Sequence, residues 1–253
     1  MLETIAGTNG RRRAVVTGAA RGIGEGIARR LAQDGMEVVG VDRDEQGLSR
    51  LAAHGITPLV ADLAKPEERA RVVEAADGGD YLVNAAAIIR LVPIFETTLD
   101  DWRDIYAVNA EATFFLCQQI GPRLRPNGAI VNFSSVSAKA SGTTEAAIYA
   151  SSKAAVISIT RSFAYALASR PVRVNCICPG ITDTPMQEQV LEEVSAIRGV
   201  PYAQLSEARL AQVPLARSTT PDELAGLIAF LLSDEASYMT GQALNFSGGL
   251  VMT

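Results

Sequence analysis

Tyr149 and Lys153 stand four residues apart in Tyr149-Ala150-Ser151-Ser152-Lys153, at the start of a segment with helical period. On a helix that spacing puts both side chains on one face. An ammonium beside a phenol favours the phenolate, and a shift of about 1 to 3 units would bring the ordinary pKa of about 10 toward neutrality. A tyrosine held this way can act as a general base or acid. Just upstream, Phe133-Ser134-Ser135-Val136-Ser137 ends a strand candidate rich in hydroxyls. By itself the Tyr/Lys spacing is common, and its plainest reading is an aromatic ring packed on a lysine stem. Its weight comes from what surrounds it.

A second constellation lies near the start of the chain. The apolar run Ala14 to Thr17 reads as a strand and leads directly into Thr17-Gly18-Ala19-Ala20-Arg21-Gly22-Ile23-Gly24, after which a helix begins. Glycines there let the backbone turn tightly and approach a pyrophosphate, whose charge meets the amides and dipole of the helix N-terminus. A lone glycine triplet is also an ordinary turn, but here it follows a strand, opens a helix and precedes Asp42, 24 residues beyond Gly18. A carboxylate at about that separation accepts hydrogen bonds from a dinucleotide's adenosine ribose. Repulsion at Asp42 opposes a 2′-phosphate, so the pattern favours NAD, while Arg21 and Arg43 are the groups through which NADP would be accepted. Asp62, before Leu63, is a second acid at a strand end, suited to an adenine contact or simply to a turn.

These residues need a scaffold, and the 253-residue chain has the length for one. Strand candidates run Ala14 to Thr17, Glu37 to Asp42, Ile56 to Asp62, Tyr81 to Ala86, Ala129 to Ser134, Val172 to Cys178 and Ala243 to Phe246. Between them fall helix candidates Ile23 to Asp34, Glu45 to Ala53, Pro66 to Ala76, Leu99 to Leu124, Ile148 to Ala168 and Pro221 to Leu232. Such alternation predicts an α/β protein with one doubly wound domain over residues 1–253: a seven-stranded parallel sheet of Rossmann type with helices on both faces. Residues 1–12 read as a polar arm, and 181–213 as an insertion that forms a substrate lid.

Composition narrows the chemistry. Twenty-three Lys and Arg against 28 Asp and Glu give a net charge of -5, which disfavours nucleic-acid or anionic-membrane partners. One histidine and three cysteines are too few for ordinary zinc sites, so no metal is expected, and Cys117, Cys176 and Cys178 read as buried thiols. With no apolar signal core or membrane-length apolar run, the expected compartment is the cytoplasm.

With these motifs in this order, the sequence resembles the short-chain dehydrogenase/reductase family from about Arg13 to Gly249. Thr17 to Gly24 matches the family's cofactor glycine motif, and Asn84-Ala85-Ala86-Ala87 stands where Asn-Asn-Ala-Gly is usual. Val108-Asn109 matches the helix asparagine, Ser135 the serine, and Tyr149 with Lys153 the catalytic pair. Pro179-Gly180-Ile181 with Thr184 matches the nicotinamide segment, and Gly241 with Gly248-Gly249 the C-terminal strand and turn. The resemblance implies a cofactor held by Gly18, Arg21, Gly22, Ile23, Gly24, Asp42, Arg43, Asp62, Leu63, Asn84, Ala85, Ala86, Tyr149, Lys153, Pro179, Gly180, Ile181 and Thr184. It also implies a proton-transfer set of Asn109, Ser135, Tyr149 and Lys153, with Asn109 positioning a water beside Lys153, and a homotetramer. Three features depart from the family's pattern: Ala85 and Ala87, the 14-residue step from Ser135 to Tyr149, and Ser247 in place of the more usual Asp.

The implied reaction interconverts a secondary alcohol and a ketone. Arg90, Ser137, Glu145 and Met186 are the candidate substrate contacts and fit a small polar substrate. The lid and Tyr238-Met239-Thr240-Gly241-Gln242 resemble sugar, polyol and butanediol dehydrogenases of the family. One alternative is NADPH-dependent reduction of a 3-oxoacyl group on acyl carrier protein. Against it stand Asp42 and the lid's Glu188, Glu192, Glu193 and Glu207, set against Arg198 and Arg209, because an acidic carrier would want a basic entrance. Another alternative is a non-catalytic dinucleotide sensor, expected to have lost the tyrosine or the lysine.

Overall fold

Side chains alternate along every strand of one sheet and divide the apolar residues between its two faces. The computed structural model describes residues 10–253, so most of the expected arm, residues 1–9, lies outside the described residues. The strands are β1 (Arg13–Thr17), β2 (Glu37–Asp42), β3 (Thr57–Val60), β4 (Tyr81–Asn84), β5 (Ala129–Phe133), β6 (Arg173–Pro179) and β7 (Ala243–Phe246). All seven pair in parallel, in the order β3-β2-β1-β4-β5-β6-β7. The helices are α1 (Gly22–Gln33), α2 (Glu45–Ser49), α3 (Pro66–Ala75), α4 (Leu99–Tyr106), α5 (Thr113–Ile120), α6 (Ala147–Leu167), α7 (Pro185–Arg198), α8 (Tyr202–Leu210) and α9 (Pro221–Leu232).

On one face Ala14, Val16, Val83 and Val131 pack under Ile27 and Leu31 of α1 and Leu224 and Ile228 of α9. On the other, Val15, Leu82, Ile130 and Val174 meet Val72 of α3, Leu116 and Ile120 of α5, and Phe163 and Leu167 of α6. Each large aliphatic side chain fully buried this way stabilises the fold by roughly 1.5 to 3 kcal/mol. Burial on both faces is what the continuous apolar runs required. All three cysteines are free and buried, as their apolar surroundings led us to expect.

Two of the departures from the sequence expectation bear on the site. The helix expected over Leu99 to Leu124 is interrupted: α4 and α5 are joined by a π turn, Ala107–Ala112, and a short 3-10 turn, Gly121–Arg123, follows at Pro122. Strand β4 stops at Asn84, because the Ala86 amide bonds the Thr17 hydroxyl at 3.2 Å instead of continuing the ladder. In segment 181–213 the helical pieces expected around Gln187 to Ile197 and Ser206 to Gln212 form as α7 and α8, with α7 capped by Thr184 and closed by Gly199 in the left-handed region. Its base is tied down where the Thr219 amide bonds the Ile181 carbonyl and the Asp183 amide bonds the Thr219 carbonyl. Among the described residues no helix is long and apolar enough to cross a membrane.

At the β1 and β4 ends the strand order reverses, leaving a crevice at the carboxyl edge. The chain leaving β1 is packed there without slack. A Cβ on Gly24 would lie 2.0 Å from the Gly18 carbonyl oxygen and 2.6 Å from its carbon, both backbone atoms that cannot swing aside. Gly24→Ala is therefore expected to cost about 1 to 3 kcal/mol of stability, read as a lowered denaturant midpoint.

Candidate active site

The crevice opens into a cleft of about 650 Å³. One wall is the β1–α1 turn, where Gly18 has φ +68° and passes so near β4's exit that a Cβ would sit 2.7 Å from Ala86 Cα. That turn is fastened to β2 by the Ala19 amide on the Val41 carbonyl (3.1 Å) and the Ala20 amide on Asp42 Oδ2 (3.1 Å). The other Asp42 oxygen accepts from the Asp44 amide at 3.1 Å, so two backbone donors orient the carboxylate in the wall. At the start of α1, Arg21 makes no side-chain cap, and Gly22, Ile23 and Gly24 line the cleft with the amides that a helix N-terminus leaves unpaired. A glycine cradle that a Cβ would fill, open helix amides and an oriented acid together fit a dinucleotide. Asp62 lines the same wall while its Oδ1 accepts from the Ala64 amide at 3.1 Å, so its turn role is present alongside any adenine contact.

The opposite part of the cleft is built from β5, α6 and the segment after β6. Ser135 follows β5, and its Oγ accepts from the Ser137 amide at 3.1 Å. Ser135, Ser137 and Tyr149 all line the cleft. Lys153 is 2% exposed and donates from Nζ to the Phe133 carbonyl at 2.8 Å. Its nitrogen lies 5.8 Å from the Tyr149 ring centroid, over the ring rather than against the hydroxyl.

This corrects the electrostatic expectation. Burial pushes the Tyr149 phenol up to about 12, with Ser135 pulling the other way, and burial pushes Lys153 down to about 8. Desolvation disfavours the charged form of both groups and is the largest cause of each shift. The resident phenol is thus firmly protonated at neutral pH.

Asn109 sits within the π turn and is fully buried. Its Oδ1 accepts from the Ile88 amide at 2.9 Å, and its Nδ2 donates to the Ile88 carbonyl at 2.9 Å and to Ser152 Oγ at 3.0 Å. Ser152 in turn donates to the Tyr149 carbonyl at 2.7 Å. The Asn109 amide therefore fixes the chain after β4 against the first turn of α6, a π turn being a frequent device at functional sites. Ser152 was missed in the sequence, where a serine inside a helix carries no distinguishing signal.

Of the other expected residues, Arg21, Arg43, Leu63, Ala85, Ala86, Pro179, Gly180, Ile181, Thr184 and Met186 line the cleft, and three do not. Asn84 points into the sheet's buried interior, donating from Nδ2 to Asn132 Oδ1 at 2.9 Å, because β4's pleat turns it toward α5. Arg90 is drawn out to Asp101 and Asp104. Glu145 is held by a forked ion pair with Arg198, at 2.9 Å to Nε and 2.8 Å to Nη2, which keeps its carboxyl at about 2. Sequence reasoning missed the cleft-lining residues of segment 181–213, Gln187, Val190, Val194, Leu205 and Arg209, together with Val251 from the C-terminal turn. Lid charges are also segregated, with Glu188, Glu192 and Glu207 exposed and outside the cleft, while Arg198 and Arg209 line it. A charge count over the segment concealed that separation.

Comparisons with known proteins agree with this geometry. Residues 18–251 match the family described as enoyl-(acyl carrier protein) reductase. The chain is 36% identical to the 3-oxoacyl-acyl-carrier-protein reductase FabG of Thermotoga maritima, over 94% of this chain and 97% of that one. It is 34% identical to the L-2,3-butanediol dehydrogenase of Corynebacterium glutamicum, over 94% and 98%. Among solved structures, a variant of actinorhodin polyketide ketoreductase with NADPH superposes with a TM-score of 0.86 at 33% identity, covering 97% of this chain and 99% of that one.

The Asn109 amide makes three hydrogen bonds with no solvent access. Asn109→Ala leaves the Ile88 amide and carbonyl without their side-chain partner and is expected to cost about 2 to 3 kcal/mol, measured by chemical denaturation. An unchanged midpoint would remove this residue's role as the brace between β4 and α6.

Proposed function

The chain belongs to the short-chain dehydrogenase/reductase family, and from that membership we propose an NAD(H)-dependent enzyme acting on a small, hydroxylated polar substrate. It is an oxidoreductase of the CH–OH group. The observation that carries the finer reading is the Ser135–Tyr149–Lys153 cluster opening onto the same cleft as Asp42.

In this reading Gly18, Gly22, Ile23 and Gly24 hold the cofactor's pyrophosphate, Asp42 its adenosine ribose, and Pro179 to Thr184 its nicotinamide end. When bound, the nicotinamide supplies the hydride acceptor for alcohol oxidation or the donor for ketone reduction. Tyr149 moves the proton: its neutral phenol donates to the carbonyl oxygen in reduction, and its phenolate accepts the hydroxyl proton in oxidation. Ser135 donates a hydrogen bond to the same oxygen as charge develops. Lys153 holds the ribose and offers positive charge beneath the phenol, and Asn109 braces the loop and helix that carry these groups.

Asp42 supports NAD, because its two amide bonds leave a fixed carboxylate where a 2′-phosphate would have to come. Arg21 and Arg43, exposed and without an ion pair among the described residues, are the features that favour NADP. A second reading, reduction of a 3-oxoacyl group on an acyl carrier protein, draws support from the reductase relatives. Exposed Glu188, Glu192 and Glu207 on the lid count against it, since an acidic carrier would approach that surface. Segment 181–213 acts as the lid in either reading. Exposed Trp102, Phe114 and Tyr165 along α4, α5 and α6 support self-association as a homotetramer, and three free, buried thiols suit the cytoplasm.

A panel of secondary alcohols and ketones, assayed with NAD and with NADP at the absorbance of the reduced cofactor, tests the whole reading. Tyr149→Phe is expected to lower kcat by about 10²- to 10⁴-fold while cofactor affinity persists; retained turnover would sink the assignment. The pH profile carries a sign. With the phenol raised, kcat/KM for oxidation should climb from pH 7 through 9 as the phenolate fraction grows. Reduction should hold near neutrality and fall only at alkaline pH, and a flat oxidation limb would contradict proton transfer through Tyr149.

A further inference from the structure

The cleft's charges are distributed unevenly. Its walls carry two carboxylates, Asp42 and Asp62, at the β2–β3 end of the sheet, where the exposed Arg21 and Arg43 also line the cleft. At the lid end stand Arg198 and Arg209. Arg198 is neutralised by Glu145, whereas Arg209, half-buried on α8, pairs with no carboxylate among the described residues. With the Gln187 amide turned so that its oxygen faces the guanidinium, Oε1 accepts from Arg209 Nη1 at 2.6 Å and Nη2 at 3.1 Å. A neutral carbonyl orients the fork but does not cancel its charge. Burial, and then the neighbouring Arg198, disfavour the cation, yet a guanidinium does not deprotonate in a protein. The unfavourable energy therefore remains until an anion enters.

The segment does not lack carboxylates that could have neutralised it; Glu188, Glu192 and Glu207 all face outward. Met186, Val190, Val194 and Leu205 line the same cleft, the last three within one apolar cluster. A half-buried cation and apolar side chains sharing a cleft with a proton-transfer group are a recognition pattern for a molecule with a charged end and a reactive carbon.

We infer that Arg209 is a specificity-determining residue and that the substrate is anionic: a hydroxylated or oxo acid whose oxyanion group, a carboxylate or a phosphate ester, pairs with this guanidinium while its carbinol or carbonyl carbon lies at Tyr149. The inference rests on the oxidoreductase reading of the same site and narrows its substrate class. Gln187 serves as the positioning residue that keeps the fork turned inward.

The test compares hydroxy acids bearing the hydroxyl at C2, C3 or C4 with their methyl esters, and diol monophosphates with the parent diols, all with saturating NAD. At least one acid or phosphate should exceed its neutral partner in kcat/KM by about 10- to 100-fold, the scale of a charge-assisted hydrogen bond, and which series responds identifies the oxyanion. Arg209→Gln should erase that preference chiefly through KM, and Arg209→Lys should restore part of it. Arg217→Gln, whose guanidinium pairs with Glu223 away from the cleft, should keep it. Equal use of charged and neutral partners would overturn the inference while leaving the oxidoreductase reading intact. So would weakened NAD binding in Arg209→Gln with the preference unchanged, which would assign Arg209 to the cofactor's pyrophosphate. If nothing in the panel turns over, calorimetry of the same acids on the NAD-loaded chain decides separately: Arg209-dependent binding supports the inference, and its absence rejects it.

Discussion

Everything in the cleft depends on how closely two backbones pass at the sheet's switch point. Gly18, leaving β1, lies against Ala86, leaving β4, with no space for a side chain between them. The same crossing is bonded through the Thr17 hydroxyl to the Ala86 amide, so β1's exit and β4's exit move as one piece. From that piece the β1–α1 turn reaches β2 and Asp42, while the chain after β4 reaches Ile88, Asn109 and, through Ser152, the Tyr149 helix. A dinucleotide site and a proton-transfer site are thereby held at a set separation by short, buried, mostly backbone contacts.

Burial governs the electrostatics of this arrangement more than charge pairing does. Lys153 and Tyr149 are both pushed toward their neutral forms, because removal from water penalises an isolated charge more than a ring at 5.8 Å repays. Arg209 experiences the same penalty without the option of neutralising. Two of these groups can shift their protonation to suit the interior, while the third keeps its charge and so shapes what the cleft accepts.

The departures from the family's pattern have local explanations. Ser247, in place of the usual acid, accepts from the Val251 amide and donates to the Val251 carbonyl, both at 3.2 Å, which folds the C-terminal turn so that Val251 reaches the cleft. Despite the longer step from Ser135 to Tyr149, both residues line the cleft. Asn84 keeps its place in the motif, but its side chain serves the sheet interior through Asn132.

Much was legible in the one-dimensional pattern. Period-2 and period-3.6 apolar spacing announced the strands and helices, and fixed offsets announced Tyr149 with Lys153 and the glycine turn with Asp42, because backbone geometry alone converts those intervals into shared faces and strand ends. Side-chain direction and desolvation were not legible, since both arise from distant segments brought together. The pleat of β4 turns Asn84 inward, Asp101 and Asp104 draw Arg90 away, and Arg198 captures Glu145. Only the fold places Arg198 and Arg209 on the cleft while Glu188, Glu192 and Glu207 stand exposed outside it. A charge has no energetic meaning until its distance from water and from its neighbours is set, and the folded chain alone sets both.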